Sequence, residues 1–112
     1  THYDIDDAEV VVVSYGISAR SAMQAVRNAR NEGLKAGLIK LNTVWPFPEE
    51  LIRDVASRVR AIIVAEINGG QMVREVERAA CGACPVSLVS NYGGAILHPN
   101  LIANAVSKAI RG

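Results

Sequence analysis

Three short segments of the chain carry residue types that do chemistry. Ser18 follows Gly16 in a G-x-S sequence, Cys81 and Cys84 form a C-x-x-C pair, and residues 66–71 combine a carboxylate with paired glycines. These patterns are typical of a nucleophilic serine, a redox or metal-binding thiol pair, and an anion-binding turn. Each chemistry needs partner groups in the same fold, and the rest of the sequence shows whether they are present.

Ser18 lacks the partners of a catalytic serine. A nucleophilic serine needs a base and an acid that orients the base. The only histidine after Ser18 is His98, and no Asp or Glu follows Glu77. We therefore predict that Ser18 caps a helix and that this chain contributes no catalytic residue. The G-x-G-x-x-G sequence of dinucleotide-binding turns is also absent.

The two cysteines are too few to form a metal site by themselves. Two thiolates supply only half of the ligands of a zinc or iron–sulfur centre, and Cys81 and Cys84 are the only cysteines. Redox-active pairs lie at the start of a helix, whereas this pair follows a predicted helix, where the dipole disfavours a thiolate. We predict a structural role and no metal site, and keep a reversible disulfide as the alternative.

The best candidate for ligand binding is the turn Glu66, Asn68, Gly69, Gly70 and Gln71. Paired glycines let the backbone approach a ligand closely, and the helix that follows offers free N–H groups to an anion. The alternative is a tight turn in which the Glu66 carboxylate accepts hydrogen bonds from nearby backbone N–H groups.

A second candidate surface is the loop formed by Trp45, Pro46, Phe47 and Pro48. It holds the only Trp and the only Phe of the chain. Large aromatic side chains outside a regular element either cover an edge of the core or anchor a docking surface. The sequence leaves both possibilities open, and we treat these four residues as a candidate interface.

Four strand–helix units must position these segments. A run of four valines predicts a strand buried on both faces, and apolar residues at three- and four-residue spacing predict a helix after each strand. The pattern predicts a three-layer α/β/α fold with a doubly wound, mainly parallel sheet of about four to five strands. Ligands and partners then meet the chain at the carboxyl ends of the strands. The predicted strands are Glu9 to Tyr15, Gly37 to Leu41, Ala61 to Ile67 and Val86 to Ser90.

Length and composition fit one globular domain. The chain has 112 residues, half of them hydrophobic, and a net charge of +1, which offers no field that would attract nucleic acid. Its apolar runs are too short to span a membrane, and its two cysteines fit a reducing cytoplasm. We predict that residues 1–7 are a linker from a preceding domain and that residues 8–112 form a single α/β domain. A disordered or processed terminus is the alternative for residues 1–7.

Two of these segments also carry a family resemblance. Residues 37–48 (GLIKLNTVWPFP) and 65–73 (AEINGGQMV) resemble the α-subunit of 2-oxoacid:ferredoxin oxidoreductases, and within that family the 2-oxoglutarate type. Residues 14–21 and 92–94 are similar to the same family. In it, this region is the transketolase C-terminal-like domain, which follows the domain that builds the thiamine diphosphate site with the partner subunit.

The resemblance implies an enzyme that converts a 2-oxoacid and coenzyme A to acyl-CoA, carbon dioxide and reduced ferredoxin. Thiamine diphosphate, magnesium and iron–sulfur clusters would supply the chemistry elsewhere in that enzyme, and this chain is expected to bind none of them. Expected partners are the other domains of its own subunit, the β-subunit, ferredoxin-like subunits and ferredoxin. Related subunits act on branched-chain 2-oxoacids, so the substrate stays open. The competing hypothesis is an independent domain that binds an anion at Asn68 to Gln71.

Overall fold

A five-stranded sheet with helices on both faces forms the core of the computed structural model, which describes residues 2–3, 7–15, 18–41, 49–65, 71–89 and 99–111. Strands and helices alternate after a short first strand, as the sequence predicts. The elements are β1 (His2–Tyr3), β2 (Val10–Tyr15), α1 (Ser18–Asn31), β3 (Ala36–Leu41), α2 (Glu49–Ala56), β4 (Ala61–Ala65), α3 (Gln71–Ala80), β5 (Val86–Val89) and α4 (Pro99–Arg111).

The strand order is β1-β3-β2-β4-β5, and β2 to β5 are all parallel. The chain moves from β2 outward to β3, crosses back to β4 on the other side of β2, and continues to β5. This order confirms the predicted doubly wound, mainly parallel α/β fold. The predicted strand ends at Ile67 and Ser90 lie outside the described residues.

The valine run of β2 is the centre of the sheet. Val11 and Val13 pack into the buried cluster under α2 and α3, whereas Val10 and Val12 pack into the cluster under α1 and α4. All four side chains are fully buried. This alternation is what a central parallel strand covered on both faces requires. Both clusters combine residues from the sheet with residues from the helices that cover it.

The first strand is an addition to the predicted architecture. His2 and Tyr3 pair antiparallel with Ile39 and Leu38 at the outer edge of β3, within the segment that the sequence predicts to be a linker. A two-residue edge strand is too short to show hydrophobic alternation, so the sequence carries no signal for it. The boundary at residues 7 and 8 stays a prediction.

Gly33 ends α1. Its φ is 86°, its N–H donates to the carbonyl of Arg30 at 3.0 Å, and the N–H of Leu34 donates to the carbonyl of Ala29 at 2.9 Å. These bonds form a Schellman motif, which places a left-handed residue directly after the helix. The buried Leu34 side chain then joins the cluster under α1 and α4.

We expect Gly33→Ala to lower the free energy of unfolding by about 1 kcal/mol, because a Cβ disfavours the left-handed conformation. A Cβ at this position meets no atom within 4 Å, so the cost is conformational and not steric. Urea unfolding followed by circular dichroism measures it. Gly33→Asn is the matched control, since Asn tolerates this conformation, and it should cost less. An equal loss for both variants would contradict the assignment.

Two arginines form hydrogen bonds at the amino edge of the sheet, which is the edge where the parallel strands begin. The Arg30 guanidinium donates to the carbonyl of Ala36 at 2.8 Å and to the Asp7 carboxylate at 2.7 Å. Arg60, just before β4, donates to the carbonyl of Ile110 at 2.7 Å. The last turns of α1 and α4 therefore both lie at the amino edge, and both helices begin at the carboxyl edge.

The Asp7–Arg30 pair predicts a pH dependence of stability. The hydrogen bond from Arg30 holds the pKa of the Asp7 carboxyl below its usual value. Because the folded-state pKa is depressed, the stabilisation is complete above the unfolded-state pKa, near 3.9. It is lost as the pH falls through the folded value. We expect the wild type to be more stable than Asp7→Asn at pH 7 and the difference to disappear in acid. A constant difference across a pH series of urea unfolding curves would contradict this.

Candidate functional site

The carboxyl edge of the sheet contains the point where the chain reverses its winding direction. The crossover after β2 carries α1 over one face to β3, and the crossover after β4 carries α3 over the other face to β5. The winding reversal therefore lies between β2 and β4, which are neighbours in the sheet. In doubly wound sheets, ligands bind at the carboxyl ends of the strands at such a reversal.

Most of the residues predicted as sites lie outside the described ranges. This holds for Trp45, Pro46, Phe47 and Pro48, and for Glu66, Asn68, Gly69 and Gly70. Their flanking elements are described: residues 42–48 join β3 to α2, and residues 66–70 join β4 to α3. Both segments therefore leave from the carboxyl edge, and the second leaves from the winding reversal. Gln71 is the first residue of α3. The roles of all nine residues stay predictions.

The helices that begin at this edge differ in their first turns. Helix α2 starts with Glu49 and Glu50, whose charges complement the positive end of its own dipole. The first turns of α1, α3 and α4 contain no acidic residue. The positive ends of these three helices therefore have no counter-charge from their own first turns.

An ion cluster joins the two helices on one face of the sheet. Arg78 on α3 contacts Glu49 on α2 at 2.6 Å and Glu75 on its own helix at 2.7 Å. The hydrogen bond to Glu75 and then that to Glu49 raise the pKa of the Arg78 guanidinium. The groups are largely exposed, so solvent screens them. The cluster orients α2 against α3 and leaves the start of α2 acidic.

Ser14 is a buried polar residue at the carboxyl edge that was not predicted as a site. Ser14 is fully buried, and its hydroxyl has no hydrogen-bond partner among the groups that the structure describes. A serine at the end of a valine run resembles an ordinary strand residue, so the sequence pattern alone does not distinguish it. Its hydroxyl lies beside the winding reversal, since Ser14 pairs with Ala65 at the end of β4.

The cysteine pair lies at the opposite edge. Cys81 is exposed directly after α3, with a φ of 53° and its Sγ 3.2 Å from the carbonyl of Arg78. Cys84 is buried, and this burial raises the pKa of its thiol, while a hydrogen bond from the backbone of Ile62 acts in the opposite direction. A raised pKa reduces the thiolate population, which is the reactive form. Cys81 and Cys84 follow helix α3, as the sequence predicts.

In the described ranges, no three His, Cys, Asp or Glu side chains come together in a geometry that holds a metal ion. None of the helices in the same ranges has the length and hydrophobicity needed to cross a lipid bilayer.

The strand order and the helices on both faces define a doubly wound α/β domain. Its sequence matches the family described as pyruvate:ferredoxin oxidoreductase core domain II over residues 8–102. The chain belongs to this family. The match covers most of the chain, including every element from β2 to the first turn of α4.

Curated relatives give the same assignment. The chain is 48% identical to the 2-oxoglutarate synthase subunit KorA of Methanothermobacter marburgensis, over 90% of this chain and 27% of that subunit. It is 45% identical to the ketoisovalerate oxidoreductase subunit VorB of Methanothermobacter thermautotrophicus, over 85% of this chain and 27% of that subunit. The chain thus spans about a quarter of the length of either relative.

Solved structures share the fold. A split-gene transketolase in an inactive tetramer superposes with a TM-score of 0.83 at 22% identity, covering 99% of this chain and 41% of that one. The 2-oxoglutarate:ferredoxin oxidoreductase of Magnetococcus marinus gives a TM-score of 0.77 at 24% identity, over 92% of this chain and 18% of that one. The latter structure contains 2-oxoglutarate, coenzyme A and succinyl-CoA. The predicted transketolase C-terminal-like fold is confirmed.

Proposed function

We propose that this chain is a structural and interface domain in the α-subunit of a 2-oxoacid:ferredoxin oxidoreductase. The observation that carries the proposal is the family match over residues 8–102. The whole enzyme would oxidatively decarboxylate a 2-oxoacid with coenzyme A, giving acyl-CoA, carbon dioxide and reduced ferredoxin.

The proposed substrate is 2-oxoglutarate. Identity to the KorA subunit is 48%, and identity to the ketoisovalerate subunit VorB is 45%. A second KorA subunit is 44% identical, so overall identity does not separate the two substrates, and the proposal of 2-oxoglutarate rests on the motifs in residues 37–48 and 65–73. Assays of the whole enzyme with 2-oxoglutarate and with a branched-chain 2-oxoacid compare the two substrates directly.

Thiamine diphosphate, magnesium and the iron–sulfur clusters are proposed to bind in other parts of the enzyme. An iron–sulfur cluster needs four protein ligands, usually cysteines, and this chain has two cysteines. The resemblance to the family places thiamine diphosphate with its magnesium ion elsewhere, and no catalytic step is proposed on this chain.

The proposed role of the domain is therefore to form contacts between other parts of the enzyme. Its proposed partners are the remaining domains of its own subunit, the β-subunit and the ferredoxin-like subunits, with ferredoxin as electron acceptor. The proposed contact surface is the loop Trp45 to Pro48, which leaves β3 at the carboxyl edge. A cytoplasmic location is proposed, in keeping with a reducing compartment for the two free thiols.

Removing the domain tests this function. An α-subunit from which the segment corresponding to residues 8–112 has been deleted should fail to co-elute with the other subunits in gel filtration. The matched control is the full-length subunit carrying Arg74→Ala, a change on the exposed face of α3. Normal assembly without the domain would exclude an interface role.

An independent binding domain is the second candidate function. It is favoured by the position of Gln71, because α3 starts at the winding reversal with no acidic residue in its first turn. Asn68, Gly69 and Gly70 would then hold an anion, with Glu66 supporting the turn. Calorimetric titration of the 112-residue chain with phosphate and with coenzyme A tests this function. The absence of heat at millimolar ligand would exclude it.

A further inference from the structure

The two edges of the sheet differ in how they are covered. At one edge, the two-residue strand β1 pairs antiparallel with β3 and closes that side of the sheet. At the other edge lies β5, which pairs with β4 on one side. On its other side, no strand pairs with β5 within the residues that the structure describes. In this part of the chain, β5 is therefore an open edge strand.

The ladder between β4 and β5 shows which backbone groups face the open side. The N–H of Ile62 donates to the carbonyl of Pro85 at 3.0 Å, and the register that pairs Ile62 with Val86 continues to the end of β5. In a parallel ladder, alternate residues of a strand direct their backbone groups to the same neighbour. Because Pro85 faces β4, the N–H and C=O groups of Val86 and Leu88 face away from β4. No other residue in the described ranges bonds to these groups.

The side chains of β5 leave this edge apolar and uncharged. Val86 and Leu88 are half-buried against the cluster under α2 and α3, and Val89 is half-buried against the cluster under α1 and α4. The exposed residue of the strand is Ser87. Proteins usually protect an open edge strand with charged side chains, prolines or bulges, and β5 contains none of these. Its edge is therefore suited to pairing with a further strand.

The length of β5 limits what kind of partner can be held there. A strand of four residues is about 13 Å long, whereas a stable interface between separate proteins buries about 1,200–2,000 Å². Pairing along β5 alone is too small to hold a second copy of this chain. A segment of the same polypeptide has a high effective concentration, so a short pairing is sufficient. Strand β1 is an example, because it covers the opposite edge through two residues.

We propose that an extended segment from another part of the same α-subunit pairs with the open edge of β5. This inference rests on the proposed function, in which the chain is one domain of a longer subunit, and it names a contact between the two. The segment bonds to the outward N–H and C=O groups of Val86 and Leu88. Its alternate side chains are apolar on the side of α2 and α3, where they cover the exposed parts of Val86 and Leu88.

Hydrogen exchange at single backbone amides tests the pairing. We expect the amides of Val86 and Leu88 to exchange about tenfold or more slowly in the purified α-subunit than in the isolated chain of 112 residues, because pairing protects them. The amide of Ser87 is the matched control, since it faces β4 and should be protected in both samples. Equal exchange of Val86 and Leu88 in the two samples would overturn the proposal.

The same measurement detects other occupants of the edge. Protection in the isolated chain that rises with its concentration would show that a second copy pairs with β5. Protection in the isolated chain at every concentration would show that its own residues cover the edge. Protection that appears only when the β-subunit is added would place the partner in another polypeptide. Each of these three results would overturn the proposal.

Leu88→Pro tests the outward N–H group directly. Proline lacks this donor, and it is tolerated in an edge strand where the N–H faces away from the ladder. In the α-subunit, we expect the Val86 amide to lose its protection in Leu88→Pro and to keep it in Leu88→Ala, which removes the side chain but retains the N–H. Urea unfolding of the isolated chain checks that both variants fold. Slow exchange of Val86 in Leu88→Pro would contradict pairing along β5.

Subunit assembly distinguishes a failure of this inference from a failure of the proposed function. If the α-subunit co-elutes with the other subunits while its Val86 and Leu88 amides exchange rapidly, the edge is open and this inference alone is wrong. If the native protein is the lone chain of 112 residues, the proposed function fails and this inference fails with it.

Discussion

Replacing Ile63 with alanine is expected to lower the free energy of unfolding by about 2–5 kcal/mol, the range found when a large aliphatic side chain is removed from a core. Ile63 lies in the middle of β4, is 1% exposed, and is paired with Val12 on the central strand. Its side chain fills the layer between the sheet and the helices α1 and α4. A domain of this size is stabilised by about 5–15 kcal/mol, so the variant loses a large share of its stability.

Urea unfolding of the 112-residue chain measures this loss. Ile63→Val is the graded control, and it should cost only about 0.5–1.5 kcal/mol because it removes a single methylene. Ser87→Ala, on the exposed face of β5, should change the unfolding midpoint little. Equal and small effects for both Ile63 variants would mean that the layer under α1 and α4 is not packed as described.

The second large effect is expected at the aromatic loop. Trp45→Ala and Phe47→Ala should each weaken association with the other subunits by about 2 kcal/mol, which is roughly 30-fold in the dissociation constant. Buried aromatic anchors commonly carry this share of an interface. If the loop is a docking surface, the free energy of unfolding of the isolated chain should change by less than about 1 kcal/mol, as for most surface substitutions.

Comparing the two measurements separates the two roles left open for this loop. Analytical ultracentrifugation or surface plasmon resonance measures association, and urea unfolding measures stability. Arg74→Ala serves as a control for surface changes away from the loop. If the aromatic variants lose as much fold stability as binding energy, the loop covers the core edge and is not a docking surface.

The pattern of apolar residues was enough to predict the architecture. Four valines in β2 predicted a strand buried on both faces, and the structure divides them between two clusters. Apolar residues at three- and four-residue spacing predicted the helices, and α1 to α4 follow the four predicted strands. These features are local, so a single sequence carries them. The match over residues 8–102 confirms the family expected from the motifs.

Other features depend on contacts between distant residues. Strand β1 forms through pairing with β3, about 35 residues further along the chain, and no periodicity marks it. The complete burial of Ser14 follows from the elements that cover β2 and not from its place in the valine run. The strand order, which brings β2 beside β4, also follows from packing and not from any local motif. The roles predicted for Trp45 to Pro48 and for Glu66 to Gln71 stay predictions.

We propose that this chain is a supporting domain of a multisubunit oxidoreductase. The decisive experiment purifies the native protein with an antibody against the chain and determines its mass, partner subunits, iron and thiamine diphosphate. We expect a longer polypeptide that arrives with partner subunits and contains both iron and thiamine diphosphate. A lone protein of 12.0 kDa without these cofactors would contradict it and leave the independent binding domain as the function.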